Sequence, residues 1–401
     1  MKVLIVNKFL YPNGGSETYI FKLGKELKRL GHEVEYFGME HSNRVVGNSA
    51  ESYTSPMDFH TGKLQKVIYP FKIIYSFEAR KKIRKVLEQF KPDIVHLNNF
   101  NFQLTPSIIY EIKRQGIPMV YTAHDYQWVC PNHLMLIPEN REKCFRCEGG
   151  KFGQCIKHKC IHNSGVKSIL GAMEAKLYHL LGTYQMIDRI ICPSQFMMNK
   201  LRTNPILGNK CILLYNFIDD GVCQAMSKEN YVLYFGRFSE EKGVETLLKV
   251  CRNLPQIQFV FAGSGPLKNQ VEELKNISNK GFLKGEELKQ TIAKARFSVF
   301  PSECYENCPF SVMESQKYGT PVIAADIGGV PELLQDRVTG ELFEAGNAEQ
   351  LEEKIRRLWE NEELCEQYSQ NCKNVKFDFV EEYCTKILEV YENVMHNSLK
   401  L

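Results

Sequence analysis

Twice along this chain, short apolar runs alternate with helical patterns, and each series demands a parallel sheet of its own. Parallel neighbours cannot be joined by a tight turn, so a helix must carry the chain back between them, almost always right-handed. The first series has strand-like runs at 2–6, 34–37, 93–97, 118–123 and 189–193. The second has them at 231–235, 257–261, 296–300, 321–325 and 341–343. Between the first two runs, Ile20, Leu23, Leu27 and Leu30 keep helical spacing and Gly31 ends the helix. The pattern loosens around 200–230, with Asn204-Pro205, Asn216 and a polar run from Ser227 to Asn230. A chain of 401 residues is too long for one ordinary core. The fold class is therefore α/β with two parallel-sheet domains, expected at 1–205 and 206–375. A C-terminal helix over 376–401, carrying Phe377, Phe379, Tyr383, Ile387, Leu388 and Tyr391, is expected to pack back on the first domain.

Composition removes several function classes. At 43% hydrophobic and 24% charged residues the chain reads as soluble and globular, and a formal net charge of +4 is too small to argue for a nucleic-acid partner. No apolar run approaches the roughly 18 residues of a spanning helix, and the N-terminal MKVLIVNKFLYP reads as a first strand and not a signal peptide. A cytoplasmic protein is the expectation. Residues 62–91 combine nine Lys or Arg with two Glu and interleave Tyr69, Phe71, Tyr75 and Phe77. Such a segment suits peripheral contact with the inner face of the cytoplasmic membrane, the alternative being a solvated helix packed on its apolar face. No RNA-binding signature accompanies it.

Of 14 cysteines, nine (Cys192, Cys211, Cys223, Cys251, Cys304, Cys308, Cys365, Cys372, Cys384) are scattered and read as buried thiols of a reducing compartment. The other five crowd into an insert over 130–162. Cys144, Cys147, Cys155 and Cys160 stand at C-x2-C-x7-C-x4-C spacing, with Cys130 as the spare. A CxxC turn lets two thiolates share one ion and a second pair completes a tetrahedral shell, so a structural zinc is expected. Lys143, Lys151, Lys157 and Lys159 offset the thiolate charge, and His158 or His162 is an alternative ligand. An iron–sulfur cluster or uncoordinated thiols are the competing readings. Any metal here holds a loop and takes no part in bond making.

The chemistry-bearing residues fall at strand ends, where open α/β sheets bind ligands. Gly14 and Gly15 open the first helix, and His124-Asp125 follows the 118–123 run. In the second series Gly236-Arg237 is followed by Glu241-Lys242-Gly243, a guanidinium and an ammonium one short loop apart, which suits a pyrophosphate. Gly263-Ser264-Gly265-Pro266 opens another helix where a backbone can approach a ligand closely. Then comes ENCPFSVMESQKYG at 306–319, in which Glu306 precedes a helix started by Pro309 and closed by Gly319. Unpaired N–H groups at that helix mouth, beside Asn307, Phe310 and Ser311, suit a phosphate, and Glu314 sits about two turns further in. The two carboxylates can hold different parts of one long ligand.

GGSE at 14–17, His124-Asp125, GRFSEEKG at 236–243, GSGPL at 263–267, GFL at 281–283 and the Glu306/Glu314 pair together resemble family-4 glycosyltransferases of the GT-B fold. The resemblance covers nearly the whole chain. It implies two Rossmann-like domains facing across a cleft and a retaining, metal-independent transfer of a hexosyl group. The donor would be a UDP- or GDP-sugar and the acceptor a saccharide or polyprenyl-linked glycan in cell-surface polysaccharide biosynthesis, with no cofactor needed for catalysis and no nucleic acid as partner. Carried over by position, Arg237 and Lys242 neutralise the donor diphosphate, Glu314 holds the ribose, Glu306 holds donor-sugar hydroxyls, and Gly281, Phe282 and Leu283 border the base. Gly15 lies near the phosphate and sugar, and His124 faces the reacting carbon. The cysteine insert departs from the family's common pattern and is expected to shape the acceptor side. The competing readings are a GT-B nucleotide-sugar epimerase, which shares the fold and needs no acceptor, and, from another class, a zinc-bearing nucleic-acid-binding protein.

Overall fold

The computed structural model describes residues 1–56, 73–219 and 226–398. The chain divides into two compact units, one of Met1–Asn216 with Val380–Leu401, the other Phe217–Phe379. Each is built around a six-stranded sheet whose recorded pairs are all parallel.

The first unit contains β1 (Lys2–Val6), β2 (Glu33–Phe37), β3 (Ile94–Leu97), β4 (Met119–Thr122), β5 (Arg189–Cys192) and β6 (Cys211–Leu213). They lie in the order β2-β1-β3-β4-β5-β6, and an isolated bridge from Met39 to Thr54 continues the β2 edge. Val3, Leu4, Ile5 and Val6 are all fully buried, as expected of a parallel strand covered on both faces. The chain leaves this unit later than the 205/206 boundary, because Cys211–Leu213 pairs with β5 and adds a strand. Serine caps recur at its helix starts: Ser76, Ser164 and Ser194 accept from the N–H of Ala79, Lys167 and Met197, each cap contributing about 1 kcal/mol. Helix Val380–Ser398 belongs to this unit, and its Tyr383 and Tyr391 bond Tyr19 (2.8 Å) and His96 (2.5 Å).

The second unit contains β7 (Glu229–Phe235), β8 (Phe259–Ala262), β9 (Ile277–Asn279), β10 (Ala295–Phe300), β11 (Val322–Asp326) and β12 (Gly340–Glu344). Their order, β9-β8-β7-β10-β11-β12, is that of a dinucleotide-binding sheet, in which the direction of progression reverses between β7 and β10. Connections leave that point on opposite sides, so a crevice opens beyond the carboxyl ends of these two strands. The loops after β7 and β10 carry Arg237, Lys242 and Glu306.

Of the basic segment 62–91, residues 62–72 lie outside the described residues. The remainder forms helix Phe77–Phe90, and two of its cations point inward: Arg80 and Arg84, joined by Arg114, bond the fully buried Glu111 at 3.2, 2.8 and 2.6 Å. The three guanidiniums outweigh burial and hold that carboxyl down at about 2.

Candidate functional site

In the second unit the crevice is assembled from glycines packed against backbone. Gly243 has φ +69°, and an added Cβ would stand 1.8 Å from the Pro301 carbonyl oxygen. Only glycine lets the loop carrying Lys242 lie against the loop after β10, and Glu303 and Cys304 then donate to the Glu241 carbonyl at 3.0 and 3.2 Å. On its other side Glu306 is held by the 326–330 turn, where Gly329 N–H donates to its carbonyl at 2.8 Å.

These constraints join two side chains 64 positions apart. Lys242 Nζ lies 2.6 Å from Glu306 Oε1, and the Ser302 hydroxyl donates to the same oxygen at 2.6 Å. Burial alone would lower the Lys242 pKa, but Glu306, with Cys304 and Glu241 nearby, raises it overall, so the ammonium stays charged. The adjacent Cys304 thiol is pushed up to about 12, by burial first and the Glu306 carboxylate second. Arg237 stands at the same loop, more than half exposed, with Nη1 3.9 Å from Glu241 Oε1. Its carbonyl accepts from the Tyr234 hydroxyl at 2.7 Å.

Helix Phe310–Lys317 begins one residue after Pro309, whose ψ of 123° is extended, so the proline precedes the helix instead of opening it. Asn307, Phe310, Ser311 and Glu314 are all partly accessible on this segment, and the Phe310 ring meets Phe217 edge-on at 6.1 Å. Gly236, Gly263 and Gly265 have a role that spacing did not reveal. A Cβ on Gly263 would fall 1.9 Å from the Gly236 oxygen, and one on Gly265 2.4 Å from the Phe238 oxygen. They let one loop nest on another, fixing the Arg237 loop through Phe238 N–H to Ser264 O at 2.9 Å. Phe282 is exposed while Leu283 is buried.

In the first unit His124 follows β4, and its Nε2 lies 2.9 Å from Asn98 Oδ1. The Asn98 amide nitrogen donates to the carbonyls of Val6 and His96, which leaves Oδ1 as acceptor and makes His124 Nε2 the donor. Burial lowers the His124 pKa to about 4 against a smaller opposing pull from Asp125, so the ring is neutral near pH 7. Gly14 precedes helix Gly15–Arg29 without a side-chain cap. Behind that turn Asn7 Nδ2 donates to the buried Glu17 at 2.9 Å, and Asn99 reaches Ser16 at 3.0 Å. Asn7, Asn98 and Asn99 were not among the expected site residues. Their signal was a polar residue directly after each of two mostly apolar strands, Lys2–Val6 and Ile94–Leu97.

Cys144, Cys147, Cys155 and Cys160 do converge, lining one small cavity together with Cys130. Cys147, Cys155 and Cys160 are buried with Phe152, Ala172 and Ala175, and the Cys155 and Cys160 thiols hydrogen-bond to one another. The donor set is chemically that of a structural zinc. As the side chains stand, no group of three or more His, Cys, Asp or Glu among the described residues is set to hold an ion, so binding one requires these thiols to turn towards a common centre.

Comparison with known proteins finds family matches to each of the two units. The profile of Glycosyltransferase Family 4 covers residues 13–222, and that of Glycosyl transferases group 1 covers 222–375. An uncharacterized glycosyltransferase of Methanocaldococcus jannaschii is 29% identical over 262 residues, 61% of this chain and 72% of that protein. Sucrose-phosphate synthase from Thermosynechococcus elongatus superposes with a TM-score of 0.72 at 17% identity, covering 99% of each chain. HepE of Anabaena, solved in complex with UDP-glucose, superposes at 0.67 and 16% identity, covering 98% of this chain and 100% of its own. Both structures share the GT-B fold found here. With profiles matched from residue 13 to residue 375, the chain belongs to glycosyltransferase family 4 and is a glycosyltransferase.

Proposed function

We propose that this glycosyltransferase moves a hexosyl group, with retention, from a UDP- or GDP-sugar to a saccharide or polyprenyl-linked acceptor in cell-surface polysaccharide assembly. The observation that carries the reading is the Lys242–Glu306 pair beyond the β7/β10 switch point, with Arg237 on the same loop. Breaking the bond between the anomeric carbon and the donor phosphate builds negative charge on the leaving diphosphate. Cations fixed at that spot stabilise the transition state more than the ground state, by about 3–4 kcal/mol for one well-placed donor. Lys242, already charged and anchored by Glu306, needs no reorganisation to do this, and Arg237 adds a bidentate grip. Glu314 holds the ribose, Glu306 the donor-sugar hydroxyls, and His124, neutral and donating from Nε2, lines the sugar's approach. In the front-side course that fits retention, the acceptor oxygen bonds the anomeric carbon on the face the diphosphate leaves, and a phosphate oxygen takes the acceptor's proton. A zinc held by Cys144, Cys147, Cys155 and Cys160 would be structural, supplying cross-links within the insert.

Screening nucleoside diphosphates and nucleotide sugars by thermal shift identifies the donor, since a ligand of the folded state raises its stability by mass action. Product analysis by NMR then decides the reaction. A product with the donor's anomeric configuration, formed only with acceptor and unaffected by EDTA, agrees with the proposal. An epimerised sugar formed from donor alone, or inversion, overturns it.

A further inference from the structure

Helix Gly165–Leu180 is built inside out. Its buried positions are Ser168, Gly171, Ala172, Glu174, Ala175 and Tyr178, mostly small, whereas Val166, Ile169, Met173, Leu177 and Leu180 are 38–76% exposed. At about 100° per residue these five fall within one arc of about 60° either side of Val166. Leu181, 55% exposed, continues the stripe. Lys176 borders the arc on one side and Lys167 on the other, both exposed, while the helix's only acid, Glu174, is buried. Large apolar groups scattered singly on a surface need no explanation, but a continuous row along about 24 Å of helix does.

The row is also held rigidly. The inner face rests on Cys147, Phe152, Cys155 and Cys160, and a Cβ on Gly171 would fall 2.3 Å from Ile161 Cδ1. Small residues bring this helix close to the cysteine insert, and its large ones are left outward. Charge decides what covers them. From Arg141 to Lys176 the sequence has eight Lys or Arg against three Glu, and Lys143, Arg146, Lys151, Lys157 and Lys159 are exposed. A second copy of the same surface would bring like charges together, whereas an anionic bilayer offers both an apolar layer and negative headgroups.

We infer that the outer face of helix Gly165–Leu180 is a membrane-seating surface, lying in the headgroup region of an anionic bilayer with Lys167 and Lys176 reaching back to phosphate. This holds whatever the donor or acceptor of the transferase, and is independent of residues 62–91.

The test is co-sedimentation of the full chain with phosphatidylcholine vesicles, with and without phosphatidylglycerol. Binding is expected to vesicles containing phosphatidylglycerol, weakened by salt, and reduced about tenfold or more in Met173→Ser/Leu177→Ser. Both residues are exposed, so unchanged thermal unfolding verifies that the variant folds. As a second readout, Met173→Trp should show blue-shifted emission on adding the anionic vesicles. The inference is overturned by failure of the wild type to sediment, by equal binding of the double variant, or by an unshifted Trp. A dimer that the double variant converts to monomer likewise overturns it, assigning the face to a second copy.

Discussion

Removing Lys242 separates its structural work from its proposed catalytic work. The Lys242–Glu306 pair is 2.6 Å long, and the two side chains are 32% and 13% exposed. The full cost of breaking a buried pair, about 3–5 kcal/mol, therefore does not apply; partial solvation of the ammonium reduces it to about 1–3 kcal/mol. In Lys242→Ala, Glu306 keeps the Ser302 hydroxyl at 2.6 Å but loses the ammonium that lay 2.6 Å from the same oxygen. At about 2–4 °C per kcal/mol for a unit of this size, melting should fall by about 2–12 °C. Adding Glu306→Gln removes the stranded charge, so the double variant should recover part of that loss, a coupling of about 1 kcal/mol or more in a urea-unfolding cycle. The response to nucleoside diphosphates behaves differently. It should be lost in both Lys242→Ala and the double variant, because no repair of Glu306 restores a cation at the phosphate. A double variant as unstable as the single, or one that still responds to diphosphates, refutes the reasoning.

Other outcomes follow from the same geometry. Gly243→Ala and Gly263→Ala each press a Cβ within 2 Å of a carbonyl oxygen at positive φ, and urea unfolding should show a loss of about 2–4 kcal/mol with a weakened diphosphate response. Glu314→Gln should lower nucleotide affinity about 10-fold or more by calorimetry while leaving the melting temperature near that of the wild type. His124 and His96 are held neutral by burial, at about 4 and about 3 against 6.5 when unfolded. The unfolded chain therefore binds more protons as pH falls below 6.5, and each group should cost up to about 1.4 kcal/mol per pH unit down to its folded value, seen as a falling urea midpoint. Purified protein should carry stoichiometric zinc by elemental analysis, lost together with folding stability in Cys147→Ser. Metal-free protein with a Cys147→Ser variant of unchanged stability would exclude zinc.

The main strands were legible because a parallel strand buried on both faces must be an apolar run, as at Val3–Val6 and Phe259–Ala262. Cys211–Leu213 and Ile277–Asn279 escaped notice for the complementary reason. Each is three residues at a sheet edge, Leu213 is exposed and Asn279 is polar, so neither leaves an apolar signature. The same limit hid the membrane-facing row: Val166, Ile169, Met173, Leu177 and Leu180 have the spacing of an ordinary buried stripe. Only the positions of Gly171, Ala172 and Ala175 against the cysteines show that the helix is turned the other way.

By itself the sequence determined the two β/α series, the glycine-rich strand ends, and the presence of Arg237, Lys242, Glu306 and Glu314, because periodicity and residue chemistry are local properties. Tertiary structure alone decided that Lys242 and Glu306 share a hydrogen bond, that Gly243, Gly263 and Gly265 serve loop packing, and that Arg80 and Arg84 turn inward to Glu111. These depend on strand order and crossover, which place residues far apart in the chain side by side, and spacing along one strand or helix carries no record of that.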